Sequence, residues 1–154
     1  MKTLCACGSG EEFQGCCQPY LNFDCHARTA EILMRSRYTG FVVKNEKYLL
    51  NTWHSRTRPP ALHFENHPII WFGLKILDRS GGETGDDTGT VSFVATYLEN
   101  GLVCTLRENS QFIKENGYWY YLVGDNSLEK VKAQRNHPCP CRSGLKFKKC
   151  CLAK

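Results

Sequence analysis

The sequence predicts an α+β fold: helices packed on one face of a curved antiparallel sheet, with a small cysteine-rich module at each end of the chain. Three observations carry this. Apolar residues recur at spacings of three and four between positions 30 and 53. Four stretches rich in β-branched and aromatic residues follow, separated by Gly, Asn and Asp. A thirteen-residue segment near the start, CACGSGEEFQGCC, returns near the end as CPCRSGLKFKKCC. Helices first and a strand meander after them imply helices segregated to one face of the sheet.

The helical part comes first. Thr29 suits an N-cap, and Ala30, Leu33, Met34, Tyr38, Phe41 and Val42 then form one apolar face. Gly40 sits inside this run and weakens it. Asn45 caps a second, shorter helix with Tyr48, Leu49, Thr52 and Trp53 on its apolar face. Arg58-Pro59-Pro60 breaks the chain, and residues 60–64 read as one further helical turn.

The period then changes to two. Strands are expected at residues 69–78, 91–97, 102–114 and 118–123. Residues 79–89, RSGGETGDDTG, read as a mobile loop. Glu99-Asn100-Gly101 and Glu115-Asn116-Gly117 read as turns, the second a tight hairpin.

The two ends repeat one another. Seven of the thirteen positions are identical, and both copies space their cysteines as C-x-C-x8-C-C. Eight of the ten cysteines lie in these copies; Cys25 and Cys104 stand alone and read as small buried hydrophobes. The start lacks the apolar stretch of a signal peptide and there is no run of about 18 apolar residues. The expectation is therefore a cytoplasmic protein without membrane insertion. In a reducing compartment clustered cysteines bind metal more often than they pair, and a disulfide between adjacent cysteines would be strained. Tetrahedral zinc takes four sulfurs at about 2.3 Å. Two cysteines one residue apart reach one ion if the backbone turns sharply, which Gly8, Gly10 and Gly144 allow. So small a module has almost no core, and a metal with one packed aromatic, Phe13 or Phe147, would hold it.

Net charge is +5. Residues 130–154 carry eight Lys or Arg and no acid, so the rest of the chain is net acidic. The tail either offsets thiolate charge or offers a basic patch to RNA, the ribosome or an acidic partner. The first copy has Glu11 and Glu12 where the second has Leu145 and Lys146, so the copies should prefer different surfaces. With 42% hydrophobic and 12% aromatic residues, a disordered chain is excluded.

Both terminal segments resemble the SEC-C motif, the zinc-binding element at the C-terminal end of the bacterial preprotein translocase motor ATPase. The resemblance implies two zinc ions, one held by Cys5, Cys7, Cys16 and Cys17, the other by Cys139, Cys141, Cys150 and Cys151. Two positions depart from the pattern. Ala6 replaces a proline, and Arg142 replaces the first glycine of Gly-Ser-Gly. In the motor ATPase the motif contacts a chaperone and the ribosome, which implies a protein–protein adaptor. Between the ends, MRSRY, YLLNTWH, VSFVA and NGYWYY resemble the central domain of the YchJ-like bacterial family. That resemblance implies the cone-shaped nuclear transport factor 2-like fold, with an internal cavity and, by analogy, a homodimer through the open sheet face. The division expected is 1–20 for the first motif, 25–128 for the central domain and 135–154 for the second motif.

Polar residues on apolar elements are the pocket candidates: Arg35, Arg37, Tyr38, Trp53, His54, Glu108, Ser110 and Trp119. Arg35 and Arg37 read as an exposed or ion-paired helix face, or as anion ligands in the cone. His54 reads as a helix-end histidine favourably placed on the dipole, or as an acid or base. Glu108 and Ser110 share a strand face by period two. In the YchJ-like family a histidine often precedes that glutamate; Arg107 stands there instead, which weakens a catalytic reading. There is no Gly-rich phosphate loop, no G-x-S-x-G and no H-E-x-x-H. The chain is therefore not read as an enzyme. The leading expectation is a zinc-binding adaptor. The alternatives are small-molecule binding or catalysis in the central cavity, and RNA or ribosome binding through residues 130–154.

Overall fold

The computed structural model describes residues 3–64 and 68–153. Met1 and Lys2 of the first module and Lys154 of the basic tail lie outside the described residues. Among the described residues three α-helices, α1 (Gln18–Leu21), α2 (Ala30–Val42) and α3 (Glu46–Asn51), precede four strands. These are β1 (Ile69–Gly81), β2 (Thr88–Glu99), β3 (Leu102–Glu115) and β4 (Tyr118–Lys132). The strands form one antiparallel meander in the order β1-β2-β3-β4. The α+β fold class is as the sequence predicts.

Both expected caps form. The Thr29 side chain accepts the Ile32 N–H at 3.2 Å and Asn45 Oδ1 accepts the Tyr48 N–H at 3.0 Å. Ala30, Leu33, Met34 and Tyr38 are buried, as their spacing requires. Ser36, Arg37, Thr39 and Gly40 are buried too, because the first cysteine module and α3 cover further faces of α2. Gly40 has a packing reason: a Cβ there would stand 3.1 Å from Leu49 Cδ2. Leu33 and Leu49 are almost fully buried, each contributing about 1.5–3 kcal/mol of apolar transfer. Residues 60–64 are not helical. Two adjacent prolines oppose a helix there, and the Leu62 N–H donates to Glu46 Oε1 at 2.9 Å instead of to a helical carbonyl.

The strands outrun their apolar patterns. Pairs Arg79↔Val91, Ser80↔Thr90 and Gly81↔Gly89 draw both ends of the expected 79–89 loop into the sheet. β4 runs to Lys132 through GDNSLEKVK, which carries no strand signal. Its partner is β3, from Ser110↔Gly124 to Leu102↔Lys132. Main-chain pairing decides these residues, and main-chain pairing does not depend on side-chain hydropathy. Asn100-Gly101 and Asn116-Gly117 have positive φ at both positions, the tight hairpin geometry that twisted strands favour. Register shifts at Trp71/Gly73, Ile76/Asp78 and Gln111/Phe112 bend the sheet. Val91, Phe93, Ala95 and Phe112 face the helices and the first cysteine module. Leu98, with Ile70, Phe72 and Val103, receives the second module.

Candidate metal centres

The two cysteine clusters are built the same way, atom for atom, at an offset of 134 residues. The Cys5 N–H donates to Glu11 O at 2.8 Å, and the Cys139 N–H to Leu145 O at 2.7 Å. The Phe13 N–H donates to Thr3 O and the Phe147 N–H to His137 O, both at 2.9 Å. A single turn of 3-10 helix follows, at Phe13–Gly15 and at Phe147–Lys149. The last two cysteines of each cluster leave that turn.

Each loop gathers its four sulfurs within 4.8 Å of one another. Cys7 and Cys16 are 3.6 Å apart and Cys16 and Cys17 are 3.9 Å apart. The equivalent distances are 3.4 Å for Cys141–Cys150 and 4.0 Å for Cys150–Cys151. A regular tetrahedron with metal–sulfur bonds of ~2.3 Å has edges of about 3.8 Å. Neither cluster contains a disulfide; all ten cysteines are free. The donor set and its spacing fit a four-thiolate metal site in both places.

The hydroxyls of Ser9 and Ser143 complete the match. Each accepts the N–H two residues on, at 3.2 and 3.3 Å, and is free to donate to the sulfur of Cys16 or Cys150 at 3.2 Å. Such second contacts would orient a thiolate ligand. Sequence reasoning passed over both serines, although Ser-Gly is among the identical positions of the repeat.

Thiols this crowded share protons unevenly. Hydrogen bonding from Cys17 holds Cys7 down to about 4. Burial pushes Cys16 up to about 11, and the bond to Cys7 raises Cys17 far beyond the thiol range. In the second cluster the Ser143 hydroxyl lowers Cys141 to about 6, and burial raises Cys151 to about 12. A cation bound among them would favour the thiolate form of Cys16, Cys17 and Cys151.

The clusters differ in how they are held. Cys5, Cys7 and Cys17 belong to one core with Ala30, Leu33 and Leu74. Arg35 donates from Nη1 to Cys7 O at 2.9 Å and from Nε to Glu31 Oε1 at 3.1 Å. Cys139, Phe147 and Cys151 form a separate small cluster with Leu98 on the opposite sheet face. The turn residues differ as well. Gly8 has φ +75°, and a Cβ on it would meet Leu74 O at 2.9 Å. Arg142 takes the same place with φ 61°, a conformation that costs an L-residue about 1–2 kcal/mol.

The eight pocket candidates do not converge on one cavity. A cavity of about 220 Å³ between α3, β4 and residues 20–27 is lined by Trp119 alone of the eight. Tyr38 lines a cleft of about 770 Å³ beside β1, and Glu108 borders a shallow depression at residues 107–109 and 125–127. Arg35 serves the first cluster rather than the cone. Arg37 is 3% exposed, donates to Leu49 O and Thr52 Oγ1, and stacks on Trp53 and Tyr121. Burial lowers its pKa to about 10. Tyr121 and Ser110 both donate to Glu108 Oε1, at 3.1 and 2.8 Å. His54 Nδ1 accepts the Arg56 N–H, so Nε2 donates to Glu115 Oε2 at 2.5 Å. Trp119 Nε1 donates to Arg28 O at 3.1 Å. Tyr121, which links Arg37 to Glu108, reads in the sequence only as one of four packing aromatics. Of the lone cysteines, Cys104 is fully buried as expected, but Cys25 is exposed at the rim of the 220 Å³ cavity. It lies on the segment that connects α1 to α2.

Comparison with known proteins agrees with this architecture. Residues 29–124 match the family described as the YchJ middle NTF2-like domain, and residues 135–153 match the SEC-C motif. The solution structure of a SEC-C motif containing protein from Rhodopseudomonas palustris is similar, with 31% identity and a TM-score of 0.68. The match covers 79% of this chain and 96% of that one. The crystal structure of a SEC-C motif containing protein from Psychrobacter arcticus is similar over 97% of this chain and 95% of that one. There the identity is 26% and the TM-score 0.61. No helix among the described residues is long and apolar enough to cross a membrane.

Proposed function

The chain belongs to the family of the YchJ middle NTF2-like domain and carries a SEC-C motif at its C-terminal end, and from that premise we propose that it is a zinc-dependent protein–protein adaptor with a second, SEC-C-type module at its N-terminal end. The observation that carries this is the contact-for-contact repetition of the two four-sulfur clusters. Cys5, Cys7, Cys16 and Cys17 would hold one zinc ion, and Cys139, Cys141, Cys150 and Cys151 the other. Zinc supplies no redox chemistry in this setting. It neutralises the thiolates and fixes each loop, which has little apolar core of its own.

The second module is the one suited to recognition. It sits on the sheet through a small apolar contact and presents Lys146, Lys148 and Lys149 outward. The first module is built into the core and carries Arg35 on its backbone, which suits a structural role. The binding partner would be a protein, met in the cytoplasm.

Two measurements test the reading. Elemental analysis of protein purified under reducing conditions should give two zinc ions per chain. A Cys139→Ser, Cys141→Ser variant should keep its folded core but lose partners that the wild type captures in a pull-down. Equal capture by both would end the adaptor reading, and a chain without zinc would remove its physical basis.

A further inference from the structure

The cavity of about 220 Å³ lies at the outer edge of β4, beside the end of α3. Six of its twelve lining residues are aromatic: Tyr20, Phe23, Tyr48, Tyr118, Trp119 and Tyr120. No Asp, Glu, Lys or Arg lines it, and it shares no residue with either thiol cluster. Successive side chains of a strand point to opposite faces. Tyr118, Trp119 and Tyr120 therefore border one cavity together only at the edge of their strand.

The main chain at that edge has a donor and an acceptor to offer. In an antiparallel pair, residues that bond each other across the ladder alternate with residues whose main chain points away. Tyr121 points away from β3, since its N–H donates to Thr52 O at 2.9 Å and its C=O accepts the His54 N–H at 2.8 Å. Trp119, two residues earlier with no register shift between them, points the same way. Its cross-strand neighbour Lys114 agrees, because the Lys114 N–H turns away from β4 to Asp87 O at 2.7 Å. Among the described residues neither the N–H nor the C=O of Trp119 has a hydrogen-bond partner; its bond to Arg28 O is made by the side-chain Nε1. Trp119 is 4% exposed, and main-chain groups at such depth are nearly always paired.

The neighbouring polar atoms of the wall are engaged. The Tyr48 hydroxyl bonds Ser36 Oγ at 2.6 Å, and Thr52 Oγ1 donates to Tyr48 O at 2.8 Å while accepting from Arg37. Cys25, His26 and Asn51 are exposed at the rim. A guest therefore meets aromatic rings and one adjacent N–H and C=O. A formal charge finds no opposite charge in this lining. A cation is disfavoured further, because Lys47 Nζ stands 5.5 Å from the Phe23 ring centroid and Lys114 Nζ 5.1 Å from that of Trp119. An apolar cavity of about 150 Å³ holds one benzene ring, so this one has room for a second, fused ring.

We propose that this cavity binds an uncharged, planar heteroaromatic molecule of one or two rings with a lactam-type edge, whose C=O accepts the Trp119 N–H and whose N–H donates to the Trp119 C=O.

The test is titration of the full, zinc-replete, nitrogen-15-labelled chain with 2-quinolone, read in two-dimensional amide spectra. The Trp119 amide proton should move downfield more than any other, with smaller shifts confined to residues that line the cavity. The analogue 1-methyl-2-quinolone keeps the rings and the carbonyl but cannot donate. It should bind about tenfold more weakly, the loss expected for one hydrogen bond. The cation 1-methylquinolinium should bind more weakly still. No shift at Trp119 up to the solubility limit of 2-quinolone, equal affinity for the methylated analogue, or tighter binding of the cation would each overturn the proposal. Because no lining residue belongs to a thiol cluster, any of these outcomes leaves the adaptor reading standing. Equal partner capture by the Cys139→Ser, Cys141→Ser variant would end the adaptor reading without touching this site.

Discussion

Arg35 donates a 2.9 Å hydrogen bond from Nη1 to the carbonyl oxygen of Cys7 and thereby ties the first thiol cluster to the middle of α2. Its other contact, with Glu31, is extended by Arg79 of β1, which donates to Glu31 Oε2 at 2.7 Å. Helix, strand and cysteine loop thus share one ionic joint. Arg35→Met keeps the aliphatic stem but removes that joint. The arginine is a quarter exposed, so the loss should fall at the lower end of the range for charged hydrogen bonds, about 1–2 kcal/mol by urea denaturation. A chelator should then strip the first site faster than in the wild type and leave the second site unchanged.

The two clusters should respond differently to the same lesion. Cys7 is completely buried in the main core, whereas Cys141 is half-buried in a small satellite cluster. Cys7→Ser should destabilise the core by roughly 2–5 kcal/mol, and Cys141→Ser by less than about 1 kcal/mol. Tryptophan fluorescence during denaturation reports the core, since Trp119 is buried in it. Equal midpoints for the two variants would contradict the asymmetry.

Position eight of the chain and its counterpart at 142 make a paired test of backbone strain. Arg142→Gly removes a left-handed arginine and should stabilise the second module by about 0.5–1 kcal/mol, after the extra freedom of glycine in the unfolded chain is offset. Gly8→Ala should destabilise by more than about 1 kcal/mol, because φ is +75° and the new Cβ would meet Leu74 O at 2.9 Å. Thermal melts of both variants beside the wild type decide it.

Burial pushes Tyr38, Tyr48 and Tyr97 each to about 12. A phenol that is harder to ionise in the folded state contributes stability that is fully present below its unfolded value, about 10. That contribution is lost as pH rises from about 10 through 12. Absorbance at ~295 nm, where phenolate absorbs, should show these tyrosines ionising late in the native protein. In denaturant they should titrate together near ~10. A single native transition near that unfolded value would contradict the burial assigned to them.

Much of the fold was legible because its signals are local. Thr29 and Asn45 announce their helices through caps, and Asn100-Gly101 and Asn116-Gly117 announce hairpins through positive φ. The second half of β4 was not legible, since Asp125, Glu129 and Lys130 reside in a strand only because β3 offers them a ladder. The helical turn expected at residues 60–64 is absent. Pro59 and Pro60 oppose a helix there, and the Leu62 N–H is satisfied by Glu46 of a neighbouring helix, a contact no local pattern announces. Among the pocket candidates, burial and charge identified polar residues worth following, but only packing shows that Arg37, Tyr121, Glu108 and Ser110 form one network and that His54 serves Glu115.

The amino-acid sequence by itself determined the thiol loops. Cysteine spacing, glycine placement and a repeated Ser-Gly act within a dozen residues, and so short a segment has few other ways to fold. Tertiary structure alone decided what those loops do to one another. It buried one in the core and seated the other on the opposite sheet face. That arrangement depends on residues more than a hundred positions apart meeting across a bent sheet. Side-chain pattern encodes which face of a strand is apolar, but it is the packing of distant elements that selects which of them covers it.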